Sequence, residues 1–405
     1  MGRDVDEAMH GEIRMTDLLV EICRQHGWPW WRQTVHPGRD NLLALIEGYP
    51  SARDGGELLL WDVHQDTVSV DGMTIEPFAG EVRDGRVYGR GACDVKGSMA
   101  AMLAALSRLS EPFPNASLQG KGIQRPTIVL ACTANEECGF TGARALSQLW
   151  DARLAATRSG ATTPTDSIPT AIRFFPCPPH AAIVAEPTRF NVVVAHHGVV
   201  RWRCQSIGRA AHTSRPDLGV NAIYAMARIV RAVEQYHAEI STAEREHPLC
   251  GRPSVCVSTI RGGVGINTVP ERATIEIDRR LGPQERPSEA YAALIRHIAE
   301  HADVGSCHIE HDPPFMESVG MSDAHNRPLA ERLVSLTREL GQSGELCGVP
   351  FGTDAAAIAA AGVPTVVFGP GSIDQAHTSD EYIAIDELKL ATDIFHRIAC
   401  VGMRP

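Results

Sequence analysis

Residues 57–67, ELLLWDVHQDT, join an apolar run to a group of polar side chains and indicate the fold class. The run over 58–63 is nearly continuous rather than alternating, which is typical of a strand that is buried on both faces of a sheet. His64 and Asp66 follow it directly. Because ligands of open α/β sheets bind beyond the carboxyl ends of the strands, these two side chains are candidate site residues.

The same arrangement, a buried strand that ends at polar side chains, recurs along the chain. Between the first two such strands, the segment GRGACDVKG around Asp94 precedes residues 98–109, whose apolar side chains have helical spacing. Strand, helix and strand in this order predict an α/β sheet with helices on its faces. The further predicted strands and the polar residues after them are 127–132 with Glu136 and Glu137, 181–185 with Glu186, and 362–369 with His377.

Near residue 192 the sequence changes to strands with alternating faces, and this change predicts a second domain. Alternating strands around a helix at 219–237 are typical of a small α+β unit. From about residue 312 the chain returns to a helix, a buried strand and a final helix. We therefore predict a discontinuous α/β catalytic domain, a mixed sheet flanked by helices, that is interrupted by the α+β unit. The predicted boundaries are 1–190 and 311–405 for the catalytic domain and 191–310 for the insert.

Several shorter stretches carry local signals. Helical spacing predicts an N-terminal helix over about 6–26, and residues 41–46 and 57–63 resemble the two strands of a hairpin. Proline, glycine and serine indicate surface loops at 112–126 and 153–180. The cluster Trp28-Pro-Trp30-Trp31 has two interpretations, packing against the N-terminal helix or an exposed recognition patch.

The composition is that of an acidic globular protein. The 405 residues include 38 Lys and Arg against 49 Asp and Glu, for a formal net charge of −11. This balance argues against a general nucleic-acid binder, which must neutralise phosphates. No apolar run approaches the length of a membrane span, and the start of the chain lacks an apolar signal-peptide stretch. The 11 cysteines are irregularly spaced without a Cys-x-x-Cys motif, so we expect reduced thiols and a cytoplasmic location.

The polar residues at the strand ends favour a metal site when they are taken together. Singly, a histidine near a strand end is more often structural, and a Glu-Glu pair is more often solvated surface. Two histidines and four carboxylates in one cleft would place like charges close together, which is costly without cations. Imidazole and carboxylate ligands without thiolates suit zinc, with cobalt or manganese as substitutes.

The motifs and their fixed order resemble the M20 metallopeptidases, most of all the acetylornithine deacetylase and succinyl-diaminopimelate desuccinylase group. The resemblance runs from about residue 58 to 390. The motifs that carry it are His-x-Asp at 64–66, Gly-x-Gly-x-x-Asp-x-Lys-Gly at 89–97, Glu-Glu at 136–137, Glu-Pro-Thr at 186–188 and a late histidine at 377.

The resemblance implies a site with two zinc ions and a role for each residue around them. Glu136 is expected to be the general base, and Asp66 is expected to orient His64. The peptide bond between Asp94 and Val95 is expected to be cis. The implied ligands are Asp94 as the bridge, His64 and Glu186 at one zinc ion, and Glu137 and His377 at the other.

The resemblance also implies roles for residues of the insert and of the last segment. His212, in GRAAHTSRP, is expected to steady the oxyanion in the site of a partner protomer, which implies a homodimer with the insert as dimerisation or lid domain. Arg280 and Asn267 are expected to bind the substrate carboxylate, because a guanidinium matches that group bidentately. The alternative for Arg280 is a surface ion pair with Asp278. The stretches expected to line the cleft are Phe351-Gly-Thr353-Asp354 and Gly369-Pro-Gly371-Ser372, with Thr353 and Gly371 as the expected substrate contacts.

The predicted function is a zinc-dependent hydrolase that cleaves the amide bond of N-acyl-L-amino acids, as acetylornithine deacetylase does. Some alternatives use the same metal ions on a different substrate: an exopeptidase or dipeptidase of the same family, or a succinyl-diaminopimelate desuccinylase. The others are a non-catalytic binding protein on this fold and a hydrolase that uses Cys93 or Cys138. The chain departs from the usual family pattern at Asp62-Val63 and at Asn135, where an acidic residue is common, but neither departure removes a ligand.

Overall fold

The computed structural model describes residues 11–109, 124–159 and 167–404, with the backbone alone for 151–159 and 167–170. The chain divides into two compact units. The first comprises Met1–Val194, Asp323–Cys347 and Thr353–Pro405, and the second comprises Ala195–Ser322 and Gly348–Gly352.

The first unit begins with an N-terminal helix and contains most of the long strands. Its helices up to residue 194 are α1 (Ile13–Gln25), α2 (Gly97–Ser107), α3 (Glu136–Gly139), α4 (Thr141–Ser159) and α5 (Ser167–Phe174). The strands over the same part are β1 (Trp30–His36), β2 (Arg39–Ile46), β3 (Leu58–His64), β4 (Glu81–Arg83), β5 (Arg86–Tyr88), β6 (Thr127–Thr133), β7 (Ala181–Val184) and β8 (Val192–His196).

The rest of the chain forms the second unit and then returns to the first. The middle elements are β9 (Gly198–Ile207), β10 (Ala211–His212), α6 (Ala222–Ile240), β11 (Ser254–Gly262), β12 (Thr268–Val269), β13 (Arg272–Leu281), α7 (Pro287–His301), β14 (His308–His311) and β15 (Met316–Ser318). The last elements are α8 (Arg327–Glu339), β16 (Leu346–Val349), α9 (Ala355–Ala360), β17 (Thr365–Val367), β18 (Tyr382–Ala384) and α10 (Ile385–Val401).

The main sheet is an eight-stranded mixed sheet with the order β1-β2-β6-β3-β7-β17-β8-β16. Its four neighbours β6, β3, β7 and β17 run parallel, and every residue in them is buried. Burial on both faces explains why these segments are continuous apolar runs in the sequence. On one face Trp61 of β3 packs against Phe395 of α10, with ring centroids 5.2 Å apart.

The carboxyl ends of the four parallel strands meet at one edge of the sheet, and the candidate site residues follow them. His64 is the last residue of β3, and β6 ends three residues before Glu136. β7 ends two residues before Glu186, and β17 leads towards His377. A smaller sheet in the order β18-β5-β4 adds the turn with Asp94, which follows β5.

The second unit is an α+β fold around a sheet in the order β11-β13-β9-β14, with β15 also paired to β9. Strand β13 begins at the exposed Arg272 and then alternates between buried and half-buried positions, so its buried side chains face a core with α6 and α7. Trp202, Met226 and Leu294 lie in that core. The alternation confirms the predicted change from buried to one-sided strands.

Three local expectations are wrong. Strands β2 and β3 do not form a hairpin, because β6 lies between them, antiparallel to one and parallel to the other. The predicted loop at 153–180 is helical over much of its described part, since α4 continues to Ser159 and α5 spans Ser167–Phe174, and only 175–180 is irregular; residues 160–166 lie outside the described chain. The insert was predicted to end at 310, but the second unit continues to Ser322 because β15 pairs with β9.

The remaining predictions concern the N-terminal tryptophans and the membrane. Trp28 is buried and stacks on His26, with ring centroids 4.7 Å apart. The ring centroids of Trp31 and Phe174 are 6.0 Å apart, while Trp30 is 37% exposed. The cluster is therefore mainly a packing feature. Residues 6–10 of the predicted helix, and 112–123 of the other predicted loop, lie outside the described residues. None of the helices described here has the length and apolar content to cross a membrane.

Candidate metal centre

Two imidazoles and two carboxylates meet at the carboxyl edge of the main sheet. Nε2 of His64 lies 3.1 Å from Oδ1 of Asp94. Nε2 of His377 lies 3.2 Å from Oδ2 of Asp94 and 3.2 Å from Oε1 of Glu137. Each carboxylate oxygen of Asp94 therefore faces a different imidazole. Donor atoms of His64, Asp94 and Glu137 all lie within 4.8 Å of one another, which is close enough to hold one cation.

Asp66 holds the far side of the His64 ring. Nδ1 of His64 lies 3.1 Å from the main-chain oxygen of Asp66 and 3.4 Å from its Oδ1. This contact leaves Nε2 directed at Asp94, which is how a metal-binding histidine is usually oriented. Burial alone would lower the pKa of His64, but its hydrogen bonds to Asp66 and Asp94 raise that pKa well above its usual value.

Glu136 and Glu137 stand on a tight turn that Asp66 also fixes. Their main-chain N–H groups donate to Oδ1 and Oδ2 of Asp66, each at 3.1 Å. The two side chains are placed differently. Glu137 contacts His377, whereas the carboxyl group of Glu136 is separate from that contact and the residue is 8% exposed. Burial, and then the charges of Glu186 and other nearby carboxylates, raise the pKa of Glu136 well above its usual range.

The carboxylates of this cluster respond to one another electrostatically. Glu186 is 4% exposed, and burial together with the charge of Asp94 raises its pKa well above the usual range. Burial alone would also raise the pKa of Asp94. The hydrogen bonds from His377 and His64 outweigh burial and hold this pKa well below its usual value. The pKa of His377 is raised to about 10 by its hydrogen bonds to Asp94 and Glu137.

The donor set fits zinc. It consists of imidazole nitrogens and carboxylate oxygens, with the second nitrogen of His64 already held by Asp66, and no thiolate is among these donors. Divalent cations would supply the positive charge that lets several buried carboxylates ionise side by side.

The turn that carries Asp94 is held by a buried residue, Glu381, to which the sequence assigned no role. Glu381 is 0% exposed, and its Oε1 accepts the N–H groups of Cys93 at 2.8 Å and Asp94 at 2.9 Å. Its Oε2 accepts the N–H of Gly91 at 3.0 Å and Nη1 of Arg90 at 2.6 Å. The sequence signal is weak, because a glutamate in a polar stretch does not indicate burial. The peptide bond after Asp94 is cis, as predicted.

A second pair of acids lies beneath the cluster; Asp354 belongs to a stretch that was expected to line the cleft, whereas Asp62 was given no role. Asp62 on β3 is 0% exposed and Asp354 is 1% exposed. The hydroxyl of Thr133 donates to Oδ2 of Asp354 at 2.9 Å. Burial raises the pKa of Asp354 to about 7, and burial together with the charge of Asp354 raises the pKa of Asp62 well above normal. The two carboxyl groups thus favour a state in which they do not both carry charge.

Two of the residues predicted to line the cleft serve the protein's own packing. Oγ1 of Thr353, which is buried, accepts the N–H of Ala355 at 3.2 Å at the start of α9. Gly371 has a φ of 82°, and a Cβ atom there would lie 2.6 Å from Sγ of Cys93. The glycine at 371 is therefore required by the close approach of its backbone to the turn that carries Asp94.

The other predicted substrate residues belong to the second unit. His212 is exposed, and its Nδ1 lies 2.8 Å from Oγ of Ser214. His212 pairs with Thr268, next to the exposed Asn267, so these two predicted residues are neighbours. The side chain of Arg280 is half-buried, with Nε donating to Oδ1 of Asp278 at 2.7 Å, which is the pairing that the alternative interpretation expects.

Comparison with known proteins identifies the family. The model of peptidase family M20/M25/M40 matches residues 60–400. Acetylornithine deacetylase from Myxococcus xanthus is 28% identical, over 86% of this chain and 80% of that protein. A probable succinyl-diaminopimelate desuccinylase from Staphylococcus epidermidis is 26% identical, over 95% of this chain and 91% of that protein.

Solved structures of low identity share the fold. Aminopeptidase PepT from Bacillus cereus has a TM-score of 0.68 at 20% identity, with 96% of this chain and 93% of that chain covered. Human carnosine dipeptidase 1 has a TM-score of 0.68 at 14% identity, with 96% and 90% covered. Since the family match spans most of the sequence and includes every residue of the metal-site cluster, the chain belongs to peptidase family M20/M25/M40.

Proposed function

We propose that the protein is a zinc-dependent hydrolase that cleaves the amide bond of N-acyl-L-amino acids, in the manner of an acetylornithine deacetylase. The observation that carries the proposal is the convergence of His64, Asp94, Glu137 and His377 around shared contacts, with the buried Glu136 beside them. The names of the sequence relatives, acetylornithine deacetylase and succinyl-diaminopimelate desuccinylase, support the substrate class.

The proposed ligands are those that the family resemblance implies, and the contacts of His377 with Asp94 and Glu137 support them. Asp94, which contacts both imidazoles, would be the ligand shared by two ions. The ligands at the separate positions are His64 with Glu186, and His377 with Glu137. Two zinc ions bound there would polarise the amide carbonyl and acidify a water molecule for attack.

Glu136 is the proposed general base. A carboxylate that moves a proton from water to a leaving amine needs a pKa closer to neutrality than that of an exposed glutamate. The raised pKa of Glu136, caused first by burial, supplies this property. Its main-chain N–H is fixed by Asp66, so the carboxyl group stays beside the ligand Glu137 without replacing it.

The proposed substrate contacts come from the second unit and from the last segment. Arg280 and Asn267 bind the substrate carboxylate, and Arg280 would exchange Asp278 for that group. His212 donates to the oxyanion in the site of a partner protomer, where a well-placed donor contributes strongly to rate. This role makes a homodimer part of the proposal. The backbone around Thr353 and Gly371 lines the cleft.

The proposed compartment is the cytoplasm. All 11 cysteines lie in the described part of the chain, and no disulfide joins them there. Reduced thiols in this number suit a reducing compartment.

A peptidase is the second candidate. The structural neighbours named aminopeptidase PepT and carnosine dipeptidase 1 favour it, since the same metals can serve a peptide substrate. A desuccinylase differs only in the acyl group. A thiol hydrolase has less support, because burial raises the pKa of Cys93 to about 12 and also raises the pKa of Cys138. A binding protein without activity would not require a base beside an intact ligand set.

A turnover screen tests the proposal. Zinc- and cobalt-loaded protein is offered matched N-acetyl amino acids, N-succinyl amino acids and dipeptides, and release of the free amino group is measured. We expect the N-acetyl series to be turned over fastest. Preference for dipeptides would favour the peptidase, and no turnover in any series with both metals bound would favour the binding protein.

A pair of adjacent variants tests the assignment of roles. Glu136→Gln should lower turnover to a small residual rate, about 10²–10⁴-fold below that of the wild type, while the protein retains its full metal content, measured by elemental analysis. Glu137→Gln, one residue away, should lower the metal content as well. Loss of metal from Glu136→Gln would mean that Glu136 is a ligand and not the base.

A further inference from the structure

Four consecutive main-chain N–H groups of the turn before the metal cluster are each bound by a side chain. The N–H of Ala134 donates to Oδ1 of Asn41 at 2.9 Å, and the N–H of Asn135 donates to Oε1 of Glu12 at 3.1 Å. The next two, of residues 136 and 137, donate to Asp66 at 3.1 Å each. The position of the Glu136 backbone therefore depends on acceptors from three separate segments of the chain.

The acceptor of the Asn135 N–H is Glu12. It lies directly before α1 and is 5% exposed, and its Oε1 also accepts Nη1 of Arg39 at 2.7 Å. Burying a carboxylate and a guanidinium is costly unless both are well bonded, so this pair gives little reason to expect a net gain in stability. Its contacts lead instead to Asn135, which immediately precedes Glu136.

Both ends of Asn135 are held by this pair. Its N–H is bound by Glu12, and its Oδ1 accepts Nη1 of Arg39 at 3.3 Å. Asn135 has a φ of 63° and a ψ of 39°, a left-handed conformation that asparagine tolerates better than most residues. Glu12 and Arg39 thus stabilise the conformation that sets the direction in which Glu136 leaves the turn.

We infer that Glu12 and Arg39 are positioning residues that hold Glu136 in its working orientation by fixing Asn135. The inference rests on the proposed function, in which Glu136 is the general base. It gives the start of the N-terminal helix a part in the chemistry, although neither residue touches the metal cluster. A displacement of about 1 Å in a reacting group can lower the rate by about 10²-fold.

Kinetics of Glu12 variants test the inference. Glu12→Ala should lower kcat by about tenfold to 10²-fold with KM and metal content nearly unchanged. Glu12→Gln keeps an oxygen that can accept the N–H of Asn135, so it should recover most of the rate. The matched control is Asp17→Asn, which removes an exposed ion pair with Arg32 from the same helix and should leave kcat unchanged. Equal losses in the Ala and Gln variants, or none in either, would overturn the inference.

A double variant separates positioning from a general loss of structure. Added to Glu136→Gln, the Glu12→Ala change should lower the residual rate by less than twofold, because the group it positions is already gone. Full additivity would contradict the inference.

Hydrogen exchange supplies a readout that needs no substrate. The amides of residues 134–137 should exchange at least tenfold faster in Glu12→Ala than in the wild type, while the amides of the second unit exchange at an unchanged rate. In Asp17→Asn the exchange at 134–137 should also be unchanged. Unchanged exchange at 134–137 would overturn the inference, whatever the protein hydrolyses. Faster exchange there, with no turnover by the wild-type protein, would instead count against the proposed function.

Discussion

Replacing Glu381 by glutamine should destabilise the protein far more than an exposed carboxylate would. The side chains of Glu381 and Arg90 are 0% and 4% exposed, so Glu381→Gln leaves a buried guanidinium without its counter-charge. Breaking a buried ion pair from one side costs about 3–5 kcal/mol. The glutamine NH2 group would also face N–H donors, either those of Cys93 and Asp94 or that of Gly91 together with Arg90.

Buried donors left without an acceptor add about 1–3 kcal/mol each, but relaxation prevents a simple sum. We therefore expect a loss of about 4 kcal/mol in the free energy of unfolding, or a fall of about 5 °C in the Tm of a chain of 405 residues. The assay is urea and thermal unfolding of the metal-free protein, so that lost metal binding does not contribute to the difference. Zinc affinity, measured separately, should also fall because Asp94 loses its support.

The matched control is Asp393→Asn, which breaks an exposed pair in which Arg108 and Asp393 are 47% and 53% exposed. Such a pair contributes less than about 1 kcal/mol. The double variant Arg90→Met with Glu381→Leu removes both buried charges and should recover part of the loss. A Glu381→Gln protein within about 1 kcal/mol of the wild type would refute the reasoning, since a buried pair cannot be broken so cheaply.

Three other outcomes are expected. His212→Ala should lower kcat by about 10²–10³-fold with little change in KM, measured by steady-state kinetics; a change below threefold would contradict an oxyanion role. Arg280→Met should raise KM about tenfold or more, whereas Arg279→Met, at a residue that is 0% exposed, should lower the free energy of unfolding instead. Zinc should release protons at pH 7, because the pKa values of His64 and His377 are raised, the latter to about 10, and metal ligands must be neutral imidazoles. Calorimetry in buffers of different ionisation enthalpy measures that release, and zinc affinity should fall as the pH is lowered.

The sequence predicts those parts of the site that lie directly after buried strands. His64 and Glu186 could be found because a continuous apolar run ends beside each of them, and strand ends of a parallel sheet meet at one edge. The loop predicted at 153–180 was partly wrong, because its prolines and its Ser-Gly pair are typical of loops, although α4 and α5 occupy much of it.

The supporting residues could not be predicted, because their partners are distant in sequence. Glu12 binds Asn135 across 123 positions, and Glu381 binds Gly91 across 290. Neither glutamate is part of an apolar period, and a single acid in a polar stretch is most often solvated. Their burial follows from the topology of the sheets, which local sequence patterns do not contain.

The return of the chain to the main sheet has a consequence for biosynthesis. Strands β3, β6 and β7 are made before the second unit, whereas β17, His377 and Glu381 are made after it. During translation, which adds about 5–20 residues per second, the turn with Asp94 therefore waits for partners that emerge much later. The first half of the nascent chain exposes the edge of an unfinished parallel sheet through this interval, while the α+β unit, continuous up to Ser322, can already fold. The order of synthesis thus makes completion of the metal centre the last step in building the protein. Until β17 is synthesised, β7 is the strand whose unpaired edge most needs protection from other chains.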